Sequence, residues 1–186
     1  MCEEKNEQGR GPEALQDRLL KKRKVFIFGK IDDKKAEQII ASLIWLNEEN
    51  GDPITVLIDS EGGNETDILA IYDVMTHLEC AVETLCVGKA HGLAALLLAA
   101  GNKGVRKAYQ NSEVMLEQVN RGRTFGQASD IELETDHLLR QKQRIISLLS
   151  KATGNSVEKI SADMERKYWL FAEEAKAYGL VDAIVE

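Results

Sequence analysis

Short apolar segments alternate along the chain with longer amphipathic ones. The β-rich runs lie at 24–29, 54–58 and 82–87, and a turn signal or a glycine follows each of them. Between them, the segments 34–47 and 65–77 carry apolar residues at the three- and four-residue spacing of a helix. Strands that alternate with helices in this way predict an α/β layered domain with largely parallel strand pairing.

The second half of the chain continues the alternation around one long helix. Gly88 is predicted to end the third strand, and the segment 93–100, apolar on all sides, predicts a buried central helix. A long amphipathic helix is predicted at 129–151, and Gly154 follows as its C-terminal stop signal. The other predicted elements are strands at 105–108, 114–116 and 181–185 and helices at 157–165 and 172–178.

Length and composition fit one domain preceded by a tail. The 186 residues correspond to about one domain, and the 44% hydrophobic content is sufficient for a substantial core. Residues 1–13 are hydrophilic and show no apolar periodicity, so we predict a flexible tail there. The single domain is then expected to occupy residues 14–186.

The net charge, the lengths of the apolar runs and the cysteine spacing argue against several classes of partner and location. A net charge of -7 gives no electrostatic reason to expect nucleic acid binding. No apolar run reaches the roughly 20 residues that span a bilayer, and the first residues do not resemble a secretory signal. Cys2, Cys80 and Cys86 lack metal-ligand spacing and are expected to be unreactive thiols. We therefore expect a cytoplasmic protein without a membrane contact, a metal or a cofactor.

Two glycine-containing turns are the most specific signals for chemistry. The segment 58–63, IDSEGG, places paired glycines after a strand, where backbone N–H groups can face a ligand. The segment 86–95, CVGKAHGLAA, leads from a strand into the buried helix, whose N–H dipoles point towards whatever lies above it. The two turns together could form an oxyanion hole, with the backbone N–H groups of Gly63 and Leu93 as its donors.

These turns occur in a fixed order with GQASDIE at 126–132, AEEA at 172–175 and YGLVD at 178–182. In that order and spacing the chain resembles the ClpP family, the barrel-forming serine peptidase subunits of ATP-dependent Clp proteases. The resemblance covers residues 19–185 approximately. It implies a crotonase-like spiral of β-β-α units that forms a compact head. It further implies that the helix at 129–151 is a protruding handle that interleaves two heptameric rings into a tetradecamer.

The three catalytic positions of the family hold different residues here. The nucleophilic serine of the family's GxAxS turn corresponds to Gly92, and the general-base histidine corresponds to Glu117. The orienting aspartate corresponds to Lys167, which could form an ion pair with Glu117. Glycine offers no nucleophile, so a base would have nothing to activate. The resemblance therefore predicts a catalytically inactive, ClpR-like subunit with a structural or regulatory role.

Residues that the family uses for assembly are retained. Four of them match polar contacts between opposing rings, namely Gln127, Asp130, Glu165 and Arg166. The resemblance thus implies a homo-oligomer, as a ring or double ring, with or without an active ClpP paralogue.

The surfaces that meet an unfoldase in the family are less well matched. Residues 1–11 lack the apolar stretch of the axial pore loops, and Thr55 and Leu57 replace tyrosines of the docking clefts. These differences put docking to a Clp ATPase in doubt. The loop at 118–125, which flanks the substrate groove in the family, carries two arginines and is expected to be solvated.

Two alternative functions remain open at the level of sequence. The first is an active ATP-dependent serine endopeptidase subunit with a relocated nucleophile, for which Ser60 and His91 are the candidate residues. The second is a crotonase-like acyl-CoA enzyme, in which Gly63 and Leu93 stabilise an enolate and Glu117 acts as the base.

Overall fold

The structure, a computed structural model, describes residues 12–118 and 127–185, which form seven strands and seven helices. The strands are β1 (Lys24–Phe28), β2 (Ile54–Ser60), β3 (Val82–His91), β4 (Arg106–Tyr109), β5 (Glu113–Leu116), β6 (Tyr168–Phe171) and β7 (Ala183–Val185). The helices are α1 (Pro12–Leu20), α2 (Asp33–Glu49), α3 (Glu65–His77), α4 (Leu93–Ala99), α5 (Ala128–Thr153), α6 (Val157–Asp163) and α7 (Ala172–Tyr178).

All the strands belong to one sheet that divides at β3. Its main path runs β1-β2-β3-β4-β7, and every pairing along this path is parallel. Residues 84–86 of β3 pair with β4, whereas residues 89–91 pair with β5. The last strand, β6, pairs antiparallel with β5. The predicted α/β architecture with largely parallel pairing is confirmed.

The prediction that Gly88 ends the third strand is wrong. β3 continues through Gly88 to His91, and the register against β2 shifts between Ile58 and Ser60. The carboxylate of Asp59 lies at this irregularity and accepts a hydrogen bond from Lys89 N at 3.2 Å. A Cβ at position 88 would lie 3.0 Å from Asp59 Oδ1, so the absence of a side chain there makes room for the carboxylate.

The central helix α4 is buried, as its sequence predicts. Each residue from Ala94 to Ala99 is at most 3% exposed, and the helix packs against β3 and α3. Its position between the sheet and the other helices removes apolar surface from water on every side. Because α4 is packed on several sides, it fixes the position of the turn at Gly92 that leads into it.

The long helix α5 is half inside the core and half outside it. At its C-terminal end Ile145, Ile146 and Leu149 are buried, whereas Leu133 and Leu139 nearer its start are 69% and 54% exposed. A helix of 26 residues is about 39 Å long. Its second half packs on the rest of the domain, and its first half extends beyond the domain. The arrangement agrees with a compact head from which one helix projects.

Two elements were not predicted from the sequence. Helix α1 begins at Pro12 and packs near β1, and strand β6 forms between α6 and α7. Strand β6 has four residues, of which Leu170 alone is buried, so no alternating pattern long enough to read marks it in the sequence. Residues 1–11, which include most of the predicted tail, lie outside the described residues. In the part of the chain that the structure describes, no helix is long and apolar enough to cross a bilayer.

A buried ion pair joins β4 to the segment before β7. The guanidinium of Arg106, which is 4% exposed, donates to both carboxylate oxygens of Asp182. It also donates to the carbonyl of Ala152 at the end of α5, at 3.0 Å. Asp182 Oδ2 accepts two further hydrogen bonds, from the backbone N–H groups of Gly104 and Arg106. The pair therefore ties the handle helix and the last strand to the same point of the sheet.

This pair predicts a dependence of stability on pH. The hydrogen bond from Arg106 lowers the pKa of Asp182 to about 2, against an ordinary value of 3.8. Because the folded pKa is depressed, the ionised carboxylate stabilises the fold above the unfolded pKa, and this stability is lost as the pH falls towards 2. The contribution of Asp182 to the unfolding free energy is on the order of 1 kcal/mol, because solvent screening at a partly exposed carboxylate reduces the roughly 1.4 kcal/mol that each pKa unit represents.

Urea unfolding of the protein and of the Asp182→Asn variant between pH 6 and pH 2 measures the contribution. The unfolding free energy of the unmodified protein should fall more steeply below pH 4 than that of the variant. Parallel curves for the two proteins would show that Asp182 contributes no such linkage.

Candidate active site

A cavity of about 490 Å³ lies where three segments of the chain meet. The first segment follows β2, the second is the turn between β3 and α4, and the third follows β5. Parallel strands that end at the same edge of a sheet bring their following loops together, which is the usual place for a site in such folds. The residues that line the cavity are Glu61, Gly62, Gly63, Asn64, Glu65, Thr66, Gly92, Leu93, Glu117 and Gln118.

The glycine pair after β2 has a backbone that only glycine suits. Gly62 has φ +87, and a Cβ there would lie 3.1 Å from the carbonyl oxygen of His91. A Cβ on Gly63 would collide with the carbonyl group of Ile31, which forms a parallel bridge with Gly63. The two glycines therefore let this loop approach both the β3–α4 turn and the segment after β1.

The turn before α4 holds Gly92 in the conformation of a strand-to-helix elbow. Gly92 has φ 55 and ψ -124, and its N–H donates to the carbonyl of Met115 at 2.8 Å. A residue with a side chain is strained at such a φ, and sharp elbows between a strand and a helix are where many hydrolases hold their nucleophile. The backbone shape of a nucleophile elbow is thus present, with glycine at its apex.

The side chain of Glu117 lies directly over this apex. A Cβ built on Gly92 would lie 3.2 Å from Glu117 Oε1 and 3.7 Å from Glu117 Cγ. The carboxylate therefore occupies the space next to the place from which a side chain at position 92 would project. The sequence resemblance aligns Gly92 and Glu117 with a nucleophile and a base, and the structure brings these two positions into contact.

The two residues that carry the donors of the predicted oxyanion hole both line the cavity. Gly63 and Leu93 belong to its lining, and Gly62, next to Gly63, would place a Cβ 3.5 Å from Leu93 N. Among the hydrogen bonds within the described residues, none uses the N–H of Gly63 or of Leu93. Two backbone N–H groups without an internal acceptor are the elements of an anion-stabilising site.

The third position of the aligned triad lies elsewhere. Lys167 is exposed and does not belong to the residues that line the cavity. Within the described ranges, no ion pair connects Lys167 with Glu117, which answers the question left open by the sequence. One residue of the cavity lining, Glu61, forms an ion pair with Lys89, whose Nζ lies 3.6 Å from Glu61 Oε2.

The two candidate residues for a relocated catalytic pair, Ser60 and His91, form contacts within the fold. Ser60 is fully buried; its hydroxyl donates to the carbonyl of Gly29 at 2.6 Å and accepts from Gly62 N at 3.0 Å. His91 Nε2 lies 3.0 Å from Glu113 Oε1, and its ring packs edge-on against Trp169. Neither Ser60 nor His91 is one of the residues that line the cavity.

The cysteines offer no nucleophile in the described part of the chain. Cys80 and Cys86 are both buried, and Cys2 lies outside the described residues. Burial raises the pKa of the Cys86 thiol to about 11, so the thiol stays protonated at neutral pH. The prediction that Cys86 is buried is confirmed. No group of three or more His, Cys, Asp or Glu side chains in the described ranges is arranged to hold a metal ion.

The predicted ring-contact residues are exposed. Gln127 and Asp130 lie at the start of α5, and Glu165 and Arg166 lie in the turn before β6. Gln118, which lines the cavity, donates from Nε2 to the carbonyl of Glu165 at 3.1 Å. The predicted loop at 118–125 lies almost wholly outside the described residues, which resume at Gln127.

The sequence analysis did not propose a site role for the acidic side chains on either side of the glycine pair. Glu61 and Glu65 both line the cavity, and Glu65 is 6% exposed in the first turn of α3. Their positions in the sequence, Glu61 directly after IDS and Glu65 directly after GGN at the end of a strand, could have indicated that they lie at the site. With Glu117, they give the cavity three carboxyl groups, whereas an ordinary hydrolase site presents a nucleophile and a neutral base.

The comparison with known protein families agrees with this architecture. The sequence model of the Clp protease family matches the chain over residues 7–186, which is nearly its whole length. The match includes the strand, the double glycine, the elbow before α4, the projecting helix and the C-terminal strand described above. The chain belongs to the Clp protease family.

Proposed function

We propose that this chain is a catalytically inactive subunit of a Clp-type protease barrel, with a structural or regulatory role. It contributes a wall and subunit contacts, alone or beside an active paralogue, in the cytoplasm and without a cofactor. Its single folded domain includes helix α1, which begins at Pro12. Members of the Clp protease family form oligomeric rings, which supports assembly into a homo-oligomer.

One observation carries the proposal of inactivity. At the apex of the elbow, Gly92 provides no hydroxyl, and Glu117 Oε1 stands 3.2 Å from where a Cβ would be. Covalent acyl transfer requires a nucleophile held at hydrogen-bond distance from a base. The scaffold keeps two free N–H donors, but donors alone contribute only a residual rate.

The proposed role in assembly rests on the exposed part of α5. Ile131, Leu133 and Leu139 are 40% to 69% exposed on this one helix, and clustered apolar exposure of this kind is typical of a protein–protein contact. Gln127 and Asp130 precede these residues and supply polar contacts at the end of the handle. In an assembled ring this surface is buried by another subunit.

Peptide hydrolysis and active-site labelling test the inactivity directly. We expect the purified protein to cleave a fluorogenic peptide no faster than buffer, and not to react with a fluorophosphonate. Loss of the serine nucleophile costs serine peptidases on the order of a millionfold in kcat. An active Clp-type peptidase at the same concentration serves as the positive control.

Two variants make a positive result interpretable. If the protein cleaves peptide, Ser60→Ala and His91→Ala separate a relocated nucleophile from a contaminating peptidase. Cleavage that either substitution abolishes would overturn the proposal and establish an active endopeptidase. Cleavage that survives both substitutions and disappears on further purification leaves the protein inactive, as proposed.

An acyl-CoA enzyme is the second candidate function, and one observation favours it. Glu117 lines the same cavity as Gly63 and Leu93, and a carboxylate base together with two backbone N–H donors is the set of groups that enolate chemistry uses. Calorimetric titration with acetyl-CoA distinguishes the two functions. The barrel subunit should give no binding heat, whereas saturable binding that Glu117→Gln changes would favour the enzyme.

A further inference from the structure

The junction between α2 and β2 contains an asparagine followed by a glycine. This segment, Asn50-Gly51-Asp52-Pro53, is here called the NGDP turn, and in the whole sequence Asn50 is the one asparagine that a glycine follows. Asn50, Gly51 and Asp52 are all exposed. Asparagine is a thermolabile residue, because its side-chain amide can react with the backbone nitrogen that follows it. The turn therefore combines a reactive residue type with access to water.

The nucleophile of that reaction is the backbone nitrogen of Gly51. Among the hydrogen bonds within the described residues, none uses the N–H of Gly51. A Cβ at Gly51 would meet no atom within 4 Å, so the peptide plane between Asn50 and Gly51 has space to rotate towards the Asn50 side chain. An attack within one chain also gains a large advantage from proximity. The nitrogen is therefore accessible to the Asn50 side chain.

Two contacts of the turn favour the two halves of the reaction. The carbonyl oxygen of the Asn50 side chain accepts a hydrogen bond from Asp52 N at 2.9 Å, which draws electrons from the carbon that is attacked. The main-chain carbonyl of Asn50 accepts from Arg23 Nη2 at 3.2 Å, and this carbonyl shares its peptide bond with the Gly51 nitrogen. A guanidinium there stabilises the negative charge that spreads onto the oxygen when the nitrogen loses its proton. One contact activates the electrophile, and the other activates the nucleophile.

Further contacts fix Arg23 at the turn. Its guanidinium also donates to the carbonyls of Leu46, Asp52 and Pro53, at 2.7 to 3.3 Å, and the residue is 9% exposed. Its backbone has φ 56, in the left-handed region that is strained for a residue with a side chain, so the surrounding contacts determine this conformation. The position of the guanidinium is therefore set by the fold.

We propose that Asn50 is a site of spontaneous modification, at which the folded chain converts its own asparagine to aspartate and isoaspartate. Gly51 N loses its proton to water and bonds to Asn50 Cγ, the Cγ–Nδ2 bond breaks, and the amide takes a proton and leaves as ammonia. Water then opens the cyclic succinimide at either carbonyl carbon, which gives aspartate or a main chain that continues through Cγ. The net reaction consumes water and releases ammonium, with no change of oxidation state.

The isoaspartate product changes the contacts of Arg23. It inserts a methylene into the main chain at position 50 and so moves the carbonyls of the NGDP turn relative to that of Leu46, which also binds Arg23. The isoaspartate form should melt about 2–4 °C lower, the shift expected when roughly one hydrogen bond to a charged group is lost in a domain of this size. Both products add a negative charge, so anion exchange isolates them for thermal unfolding. An unchanged melting temperature would contradict the coupling to Arg23.

Peptide mapping of the folded protein after incubation at mildly alkaline pH measures the reaction at each asparagine. We expect isoaspartate at Asn50 and an intact amide at Asn111, an exposed residue whose following nitrogen, Ser112 N, donates to the carbonyl of Tyr109 at 3.0 Å. Gly51→Ala should slow the reaction by about tenfold or more, because the new Cβ restricts the rotation that brings nitrogen and carbon together. The space around Gly51 means that this variant keeps the fold.

Arg23→Lys tests the activation of the nucleophile. Lysine keeps the charge but cannot reproduce the forked contacts of a guanidinium, so the rate at Asn50 should fall about tenfold. A general loss of structure would also release Ser112 N and raise the rate at Asn111, which serves as the internal control. In urea the variant and the unmodified protein should react at equal rates, because the contact is absent from the unfolded chain.

The results that would overturn the inference are specific. An amide that persists at Asn50 in the folded protein, or a rate that Gly51→Ala leaves unchanged, would show that the NGDP turn is not a modification site. An unchanged rate at Asn50 in folded Arg23→Lys protein would overturn the role assigned to Arg23. None of these measurements uses peptidase activity, so they do not depend on the proposed function.

Discussion

Replacing Arg106 by methionine should lower the free energy of unfolding by about 3–5 kcal/mol, because the carboxylate of Asp182 would remain partly buried without its partner. The two N–H groups of Gly104 and Arg106 would still bond Asp182, but the charge would be uncompensated. The carbonyl of Ala152 would lose its donor as well, which frees the end of α5 from the sheet. Equilibrium unfolding in urea, followed by far-UV circular dichroism, measures the loss.

The neighbouring lysine provides a matched control. Lys107→Met makes the same kind of change on the same strand, but Lys107 pairs with Glu83 at 3.5 Å in a half-exposed setting. Exposed ion pairs contribute roughly 0–1 kcal/mol, so this variant should be nearly as stable as the unmodified protein. Equal losses for the two variants would show that burial does not set the contribution of Arg106.

Substituting alanine for Gly63 should destabilise the protein by about 3 kcal/mol, at the upper end of what overpacking costs. The new Cβ would collide with the carbonyl group of Ile31, a backbone group that no rotamer change can move. Ile31 is fully buried and its N–H donates to the carbonyl of Gly62 at 2.8 Å, so the collision separates two bonded segments. Thermal and urea unfolding measure the effect.

A glycine in open space tests whether steric contact is the cause. A Cβ on Gly51 would meet no atom within 4 Å, and its φ is not in the left-handed region. Gly51→Ala should therefore change the stability by less than about 0.5 kcal/mol, and in the stabilising direction if it changes at all. A Gly63→Ala protein as stable as Gly51→Ala would contradict the close approach of the Ile31 backbone to Gly63.

The order and type of the main elements follow from local patterns. Helix α3 runs from Glu65 to His77 and α7 from Ala172 to Tyr178, as the apolar spacing predicts. Such spacing works because a helix with one apolar face has a single way to bury it. Local pattern gives the wrong result at Gly88. The strand continues through this glycine and pairs with β5, and the carboxylate of Asp59, distant in sequence, fills the space beside it. Local pattern also fails for β6, which exists because β5 supplies a pairing edge.

The candidate site divides in the same way. The sequence places Gly63, Gly92 and Leu93 in turns after strands, and all three line one cavity. The contact of Glu117 with the space above Gly92 depends on how β5 lies beside β3, which no local pattern contains. Lys167 shows that an aligned position does not by itself predict a contact. The alignment suggested that Lys167 lies close to Glu117, but its side chain is exposed and forms no ion pair with Glu117 in the described chain.

The sequence by itself determined the α/β class, the long helix α5, the turns that carry the site and the absence of a hydroxyl at position 92. These are properties of residue identity and of neighbours a few positions apart, where backbone conformation and burial follow from periodicity. Only the tertiary structure decided that Glu117 covers Gly92, that Arg106 joins Asp182, and which aromatic residues stay exposed. Such contacts join residues far apart in the chain, and they depend on how strands pair and helices pack rather than on any local preference.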